Sequence, residues 1–177
     1  MKFAVVLISA LLLAACGQMT SNPKDAGVNS KSSSSKTEGR EESGFEVKVM
    51  LDGAELAAYR VSGARTLALN DGGVLTLFLS SNDNKNHLTL HLQGTNTGTY
   101  PLPSNDAPPK QGQAKMEFMH DETPPMRIPT EGEVKLEKFG DNQCSGTFRG
   151  TGTDIKGGKF SIEGSFSNLG VKTVAAN

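Results

Sequence analysis

The 177-residue sequence has little charge of either sign in excess and few cysteines. Eighteen basic and nineteen acidic residues leave a formal net charge of −1. Because a nucleic-acid surface needs a basic stripe, this balance argues against DNA or RNA as a partner. Two cysteines permit at most one disulfide.

Long apolar runs are also lacking. Residues 3–15 form an apolar run of thirteen, broken only by Ser9, whereas a helix that crosses a bilayer needs about twenty residues. Lys2 precedes the run, and the small pair Ala14-Ala15 ends it. This layout is typical of a secretory signal and is too short for a membrane span.

Leu13-Ala14-Ala15-Cys16 closes the run and resembles the lipobox of bacterial lipoprotein precursors. The resemblance implies cleavage before Cys16 and acylation of its thiol, so that the lipid bilayer is a partner. Two or more acyl chains hold stably in a membrane. The Asp that retains family members at the inner membrane is missing after Cys16, so we expect the outer membrane if the source has two. The alternative is an ordinary secretory signal with a coincidental cysteine.

The second cysteine, Cys144, would remain unpaired once Cys16 carries lipid, and the core would hold the fold without a disulfide. No Lys, Arg or His lies within four residues of Cys144 to lower the pKa of its thiol. We therefore expect Cys144 to be a small buried hydrophobe and not a reactive group.

The chain divides into three parts. Residues 1–15 are the predicted signal peptide, and residues 16–44 are a lipid anchor followed by a Ser-rich linker. The 27 residues 18–44 contain only Met19 and Val28 as larger apolar residues, too few to order the segment. As a flexible coil they would span roughly 30 Å. Residues 45–177 form the predicted β-domain.

From Phe45 onward, apolar residues recur at every second position, as in half-buried strands. The first such strand ends at Leu51, where Asp52-Gly53 indicates a turn. Residues 74–79 are apolar on both faces apart from Thr76 and predict the most central strand. Further alternation occurs around residues 88–92, 134–136, 144–148 and 160–166. We predict an all-β fold, an antiparallel meander of about 8–10 strands that forms a small barrel or sandwich.

One segment is ambiguous. Asp52-x-x-Glu55 before an Ala-rich stretch resembles a capping box that opens a helix over residues 54–60. A strand is favoured because a turn follows directly after a convincing strand and Val61 comes soon after.

Five short motifs in the domain are similar to those of a known group of proteins. They are L-T-L-H-L (88–92), G-T-Y-P-L (98–102), G-E-V-K-L (132–136), S-G-T-F (145–148) and G-K-F-S-I-E-G-S-F-S (158–167). These motifs resemble small bacterial lipoproteins grouped as domains of unknown function. The resemblance implies a compact β-fold and a lipid anchor, and it supplies no catalytic residues.

Prolines cluster late in the chain, with seven of the eight between Pro101 and Pro129. Proline offers no ladder donor, so residues 101–113 and 121–129 should be surface loops or edge segments. Loops of this length are either functional or mobile, and these are the best sequence candidates for a surface that faces a partner.

Candidate chemistry is sparse. His87 and His91 would lie about 14 Å apart on a strand, too far apart to bind one zinc ion. The three adjacent side chains of His120-Asp121-Glu122 would point in different directions. Residues 149–159 resemble a phosphate loop but lack its lysine spacing and predict a hairpin loop. Residues 70–73 and 82–84 predict turns, with calcium sites as the weaker interpretation.

We therefore expect no catalytic residue, metal or cofactor, and the favoured function is a non-enzymatic envelope lipoprotein that binds a protein partner. The alternatives are a small barrel that binds an apolar ligand and, less favoured, a hydrolase or metal enzyme. Cys16 is the one functional residue that the sequence assigns.

Overall fold

Strands alone make up the regular structure of the described chain, which confirms the all-β prediction. The structure, a computed structural model, describes residues 42–63, 67–105, 107–121 and 123–174, with the backbone only at 123–125. Within these ranges no helix could cross a membrane. The strands are β1 Gly44–Leu51, β2 Ala54–Ser62, β3 Ala68–Asp71, β4 Val74–Ser80, β5 Asn86–Gln93, β6 Gly98–Pro101, β7 Ala114–His120, β8 Thr123–Arg127, β9 Glu131–Gly140, β10 Gln143–Thr153 and β11 Lys159–Val174.

The sixteen-residue strand β11 organises the sheet. One of its edges pairs with β10, while the other pairs first with β1 and then with β3. The main path runs β6-β9-β10-β11-β3-β4-β5-β7-β8, and β1 and β2 form a branch. The whole sheet curls into a half-barrel.

A bulge explains how one edge of β11 pairs with two strands, first β1 and then β3. Asn168 has φ +48° and lies where the pairing with β10 shifts register. Such a bulge bends a strand and increases its twist. Pairing with β1 stops at Ser167, and pairing with β3 starts at Val171. The β3–β11 ladder is parallel, a feature that the predicted antiparallel meander did not include.

The core lies inside the curled sheet, on the faces that carry the alternating apolar residues. β4 is central as predicted, lying between β3 and β5, but only one of its faces is covered: Phe78 is 41% exposed on the outer face. Residues at 0% exposure line no cavity that water could enter. They include Leu75, Leu77, Leu79, Leu88, Leu90, Leu92, Ala114, Met116, Phe118, Val134, Ile162 and Leu169.

Glycines face aromatic rings across β10 and β11. Gly146 pairs with Phe166, and Gly152 pairs with Phe160. A Cβ atom built on Gly152 would lie 2.8 Å from a ring carbon of Phe160, and one built on Gly146 would lie 2.7 Å from a ring carbon of Phe166 and overlap the Lys135 carbonyl oxygen. The ring therefore fills the space that a larger side chain would take, and the two strands can approach closely while the sheet curls.

The ambiguous segment is strand, as favoured from the sequence. β2 pairs with β1 along its length, with a register shift opposite Val49 and Met50 that leaves Leu56 as the extra residue. Pairing and burial of Ala57 outweigh the helix preference of the Ala-rich stretch, because propensity is weaker than tertiary context.

Candidate functional site

Residues 154–158, which join β10 to β11, form a tightly bonded turn that we call the tip loop. Asp154 Oδ1 accepts hydrogen bonds from the backbone N–H groups of Lys156 at 2.9 Å and Gly158 at 3.0 Å. The Asp154 N–H donates to the Gly158 carbonyl, and the Asp154 carbonyl accepts from Gly157, both at 2.9 Å. An aspartate that bonds the backbone just ahead of it fixes a turn. The shape of the tip loop is therefore set by one carboxylate.

A buried arginine from β8 holds the tip loop in place. Arg127 is 8% exposed, and its Nη2 lies 3.5 Å from Oδ2 of Asp154, whose side chain is 4% exposed. The Gly158 N–H above all, then the Lys156 N–H and the Arg127 charge, lower the pKa of Asp154 below its ordinary value. Loss of Asp154 would leave the buried Arg127 guanidinium without its carboxylate partner. The ion pair thus ties the tip loop to the opposite part of the sheet.

A second aspartate fastens the first residue of β11, directly after the tip loop, to the β1–β2 turn. Asp52 Oδ1 accepts a hydrogen bond from the Lys159 N–H at 2.8 Å, and the Asp52 N–H donates to the Lys159 carbonyl at 2.8 Å. Asp52 has φ +49°, in the left-handed region that aspartate tolerates. The tip loop is consequently held on two sides by residues distant in sequence.

The tip loop displays an aliphatic side chain. Ile155 is 83% exposed, and Met126, next to Arg127 on β8, is 47% exposed. One exposed apolar residue is ordinary in a soluble protein. Here its backbone is already fixed, so burial of Ile155 in a partner would cost little ordering entropy. This arrangement can therefore bind a partner by inserting the aliphatic Ile155 side chain into an apolar pocket of that partner.

The hairpin-loop interpretation of residues 149–159 is confirmed. The N–H groups of Lys156, Gly157 and Gly158 all donate to Asp154 itself. A phosphate-binding loop needs such donors directed at the ligand. In this loop an internal carboxylate takes the place of the anion.

His87 and His91 lie on the outer face of β5 and each meets a hydroxyl of β4. His87 Nδ1 is 2.8 Å from Ser80 Oγ, and His91 Nδ1 is 3.1 Å from Thr76 Oγ1. These are pairs set by the β4–β5 register. No group of three His, Cys, Asp or Glu that could hold a metal occurs in the described part of the chain.

The cluster His120-Asp121-Glu122 is only partly described, since Glu122 lies outside the described residues. His120 Nδ1 is 2.7 Å from Asn86 Oδ1, while Asp121 is exposed at φ +55° and its N–H donates to the Lys85 carbonyl. His120 and Asp121 thus have separate partners in the β4–β5 turn region and at the start of β5.

The predicted turns occur where expected. Gly72 and Gly73 connect β3 to β4. In the β4–β5 turn, Asp83 Oδ1 accepts from Ser81 Oγ at 2.5 Å and from the Lys85 N–H at 3.1 Å. The Ser81 bond is the main cause of the lowered pKa of Asp83. This carboxylate is engaged in shaping the turn.

Of the two cysteines, the structure describes Cys144. Cys144 is 0% exposed, which confirms the prediction of a buried residue, and burial raises the pKa of its thiol to about 12. Cys16 lies outside the described residues, and its lipidation stays a prediction.

The proline-rich segments are a loop and an edge strand, as expected. Residues 102–113 join β6 to β7, with Leu102 buried at 7% exposure and Gly112 bonded to Gln93. Residues 123–127 form β8, which pairs with β7 alone. β8 also supplies Arg127 to the tip loop, a tertiary role that the proline count did not indicate.

A family model matches residues 56–170, which span β2 to most of β11 and so include the tip loop and its Arg127 support. Its description is Domain of unknown function (DUF6252). The chain belongs to this family. A comparison with curated proteins found no match, and a comparison with solved structures found none.

Sequence reasoning missed the Arg127–Asp154 pair and the exposure of Ile155. The pattern Asp154-x-Lys156-x-Gly158 carried a local signal, since aspartate followed by glycines indicates a turn. No local signal linked it to Arg127, which is 27 positions earlier in the chain.

Proposed function

We propose that this protein is a lipid-anchored envelope protein whose β-domain is a non-enzymatic protein-binding module. In this proposal Cys16 carries the lipid, residues 16–44 tether the domain, and Ile155 inserts into an apolar pocket of an envelope protein. The observation that carries the binding role is the fixed tip loop, because it presents Ile155 at 83% exposure on a backbone held by buried side chains.

The position at which the tether joins the domain supports the proposal that the tip loop is available to a partner. β1 starts at Gly44 and ends at Leu51, which pairs with Phe160 beside the tip loop. Eight residues of strand extend about 25 Å. A tether joined at Gly44 therefore leaves the tip loop at the other end of β1, available to a partner.

The interior favours this function over an apolar-ligand barrel. The fully buried leucines of β4 and β5 leave no water-sized space beside them. A depression of about 980 Å³ lies instead on the outer face of β9, β10, β11, β1 and β2. Its lining combines apolar and aromatic side chains with charged residues from all five strands: Val47, Ala58, Tyr59, Phe148, Glu46, Lys48, Arg60, Glu133, Arg149 and Glu163.

Anchoring is tested with Cys16→Ala. The native chain should incorporate a clickable fatty acid and sediment with membranes, and Cys16→Ala should lose both properties because the thiol is the acylation site. Cys144→Ala is the matched control and should keep both. Unchanged labelling of Cys16→Ala would contradict the anchoring proposal.

Binding is tested with Ile155→Asp on the full chain, by affinity capture from envelope extracts after cross-linking. Burial of an isoleucine contributes about 1.5–3 kcal/mol, so capture affinity should fall about 10-fold to 100-fold. Val174→Asp is the control, since Val174 is another exposed aliphatic residue at 43%. If deletion of residues 103–113 abolishes capture while Ile155→Asp does not, the interface lies on that loop instead.

A further inference from the structure

β2 is an open edge of the sheet. Among the described residues it pairs with β1 alone, over nine residues, and it contains no proline. Ala54, Glu55, Ala58, Arg60 and Ser62 are exposed along it. A strand of this length with unpaired backbone groups can accept another strand.

The other two edges of the described sheet are protected. β6 has four residues and ends in Pro101, and β8 has five residues that include Pro124 and Pro125. Short edges and prolines oppose strand addition. β2 is therefore the edge at which a further strand would pair most readily.

The hydrogen bonds of β2 show which backbone groups face outward from the edge. The Gly63 N–H donates to the Ser43 carbonyl, so that this opposing pair is a bonded one. Bonded and non-bonded pairs alternate along an antiparallel ladder. Ala58 and Arg60 lie between bonded pairs and direct their N–H and C=O groups away from β1.

The side chains of β2 are complementary to a second copy of β2. In an antiparallel pair centred on Ala58, Arg60 lies two positions after the centre and Glu55 three before it. The bulge removes this difference in spacing. Ala57 pairs with Val49 and Glu55 pairs with the next residue, Met50, so the extra residue Leu56 adds no step along the ladder. Arg60 of each chain then lies opposite Glu55 of the other, on the outer face.

We propose that the chain forms a two-fold dimer in which β2 pairs antiparallel with β2 of a second copy, centred on Ala58. Two Glu55–Arg60 pairs flank the axis, and neither residue has an ion-pair partner within the described chain.

The inner side of the edge gains burial in the same dimer. Leu56, Tyr59 and Val61 pack against the core yet remain partly exposed. Tyr59 is oriented by the hydrogen bond from its hydroxyl to the Leu79 carbonyl at 3.0 Å. A second β2 strand would cover these side chains, which supplies an apolar contribution beyond the backbone hydrogen bonds.

The test is disulfide cross-linking of Ala58→Cys in the full chain with Cys16→Ser, so that the other remaining thiol is the buried Cys144. Bonded opposing residues have Cα atoms about 5.5 Å apart, within the range of a disulfide. We expect a covalent dimer under mild oxidation. Thr147→Cys, exposed on the outer face of β10, is the control and should stay monomeric. No dimer from Ala58→Cys, or equal dimer from both variants, overturns the proposal.

Charge reversal tests the register. Glu55→Arg or Arg60→Glu, each added to Ala58→Cys, should reduce the cross-linking yield at least fivefold by opposing like charges. The double variant Glu55→Arg/Arg60→Glu should restore it. Circular dichroism of each variant checks that the fold is retained. Failure of the double variant to recover, with the fold intact, overturns the assigned register.

Discussion

Gly164 offers a prediction in which the structure reverses the usual expectation. In a strand interior, replacing glycine by alanine ordinarily stabilises a protein by about 0.5–1 kcal/mol, because glycine loses more conformational entropy on folding. In this protein a Cβ atom at Gly164 would overlap the carbonyl oxygen of Glu46 and lie 2.5 Å from Phe148 Cζ. Overpacking of this kind costs about 1–3 kcal/mol. We expect Gly164→Ala to lower the free energy of unfolding by about 2 kcal/mol.

Urea unfolding of the full chain, followed by far-ultraviolet circular dichroism, measures this change. With a slope near 2 kcal/mol/M, as in other small domains, the unfolding midpoint should fall by about 1 M. A midpoint equal to or above that of the native chain would refute the close approach of β1 and β11 at Gly164.

Gly152 provides a matched comparison. Its Cβ would meet Phe160 Cζ at 2.8 Å and Cε1 at 3.1 Å, so the main obstacle is a ring and not the backbone. Phe160→Leu should therefore relieve much of the loss in Gly152→Ala, giving a double variant more stable than the sum of the single changes predicts. Phe148→Leu should relieve Gly164→Ala much less, because the Glu46 carbonyl remains in place. Equal relief at both sites would contradict the assignment of the two obstacles.

Two further predictions concern titrating groups. Because the pKa of Asp154 is lowered in the folded state, its stabilising contribution is present above the ordinary aspartate value near 4 and is lost as pH falls through the folded value. Asp154→Asn should unfold more readily at pH 7, and its stability should change less than that of the native chain below pH 4; identical acid profiles would contradict this role. The pKa of the Cys144 thiol is about 12, so in a Cys16→Ser chain at pH 8 it should resist alkylation until urea unfolds the domain, and stability should decline above about pH 9 as the unfolded thiol ionises. Rapid alkylation of the folded chain, measured by mass spectrometry, would contradict the burial of Cys144.

Local patterns in the sequence predicted most of the strands. Val47 and Val49 alternate with polar residues, and a two-residue period places one set of side chains on a buried face whatever the partner strand is. The turn at Asp52-Gly53 and the burial of Cys144 followed from similarly local chemistry. The strand state of residues 54–60 was harder, since Ala and Glu favour helix and only the pairing with β1 decides it.

The contacts that make up the candidate sites depend on residues far apart in the chain. Arg127, the last residue of β8, lies 3.5 Å from Asp154 in the β10–β11 connection, and the local pattern of neither segment indicates this contact. Glu55 and Arg60 are placed to pair across the proposed dimer because of the bulge at Leu56, and that bulge arises from the β1–β2 register.

By itself, the sequence determined the all-β class and the faces that enter the core, because periodicity and residue type act locally. Only the tertiary structure decided that β11 changes partner at Asn168, that Ile155 stands on a fixed loop and that β2 is an open edge. These features come from which strands meet, and strand pairing is set by the burial of the whole core and not by any one segment.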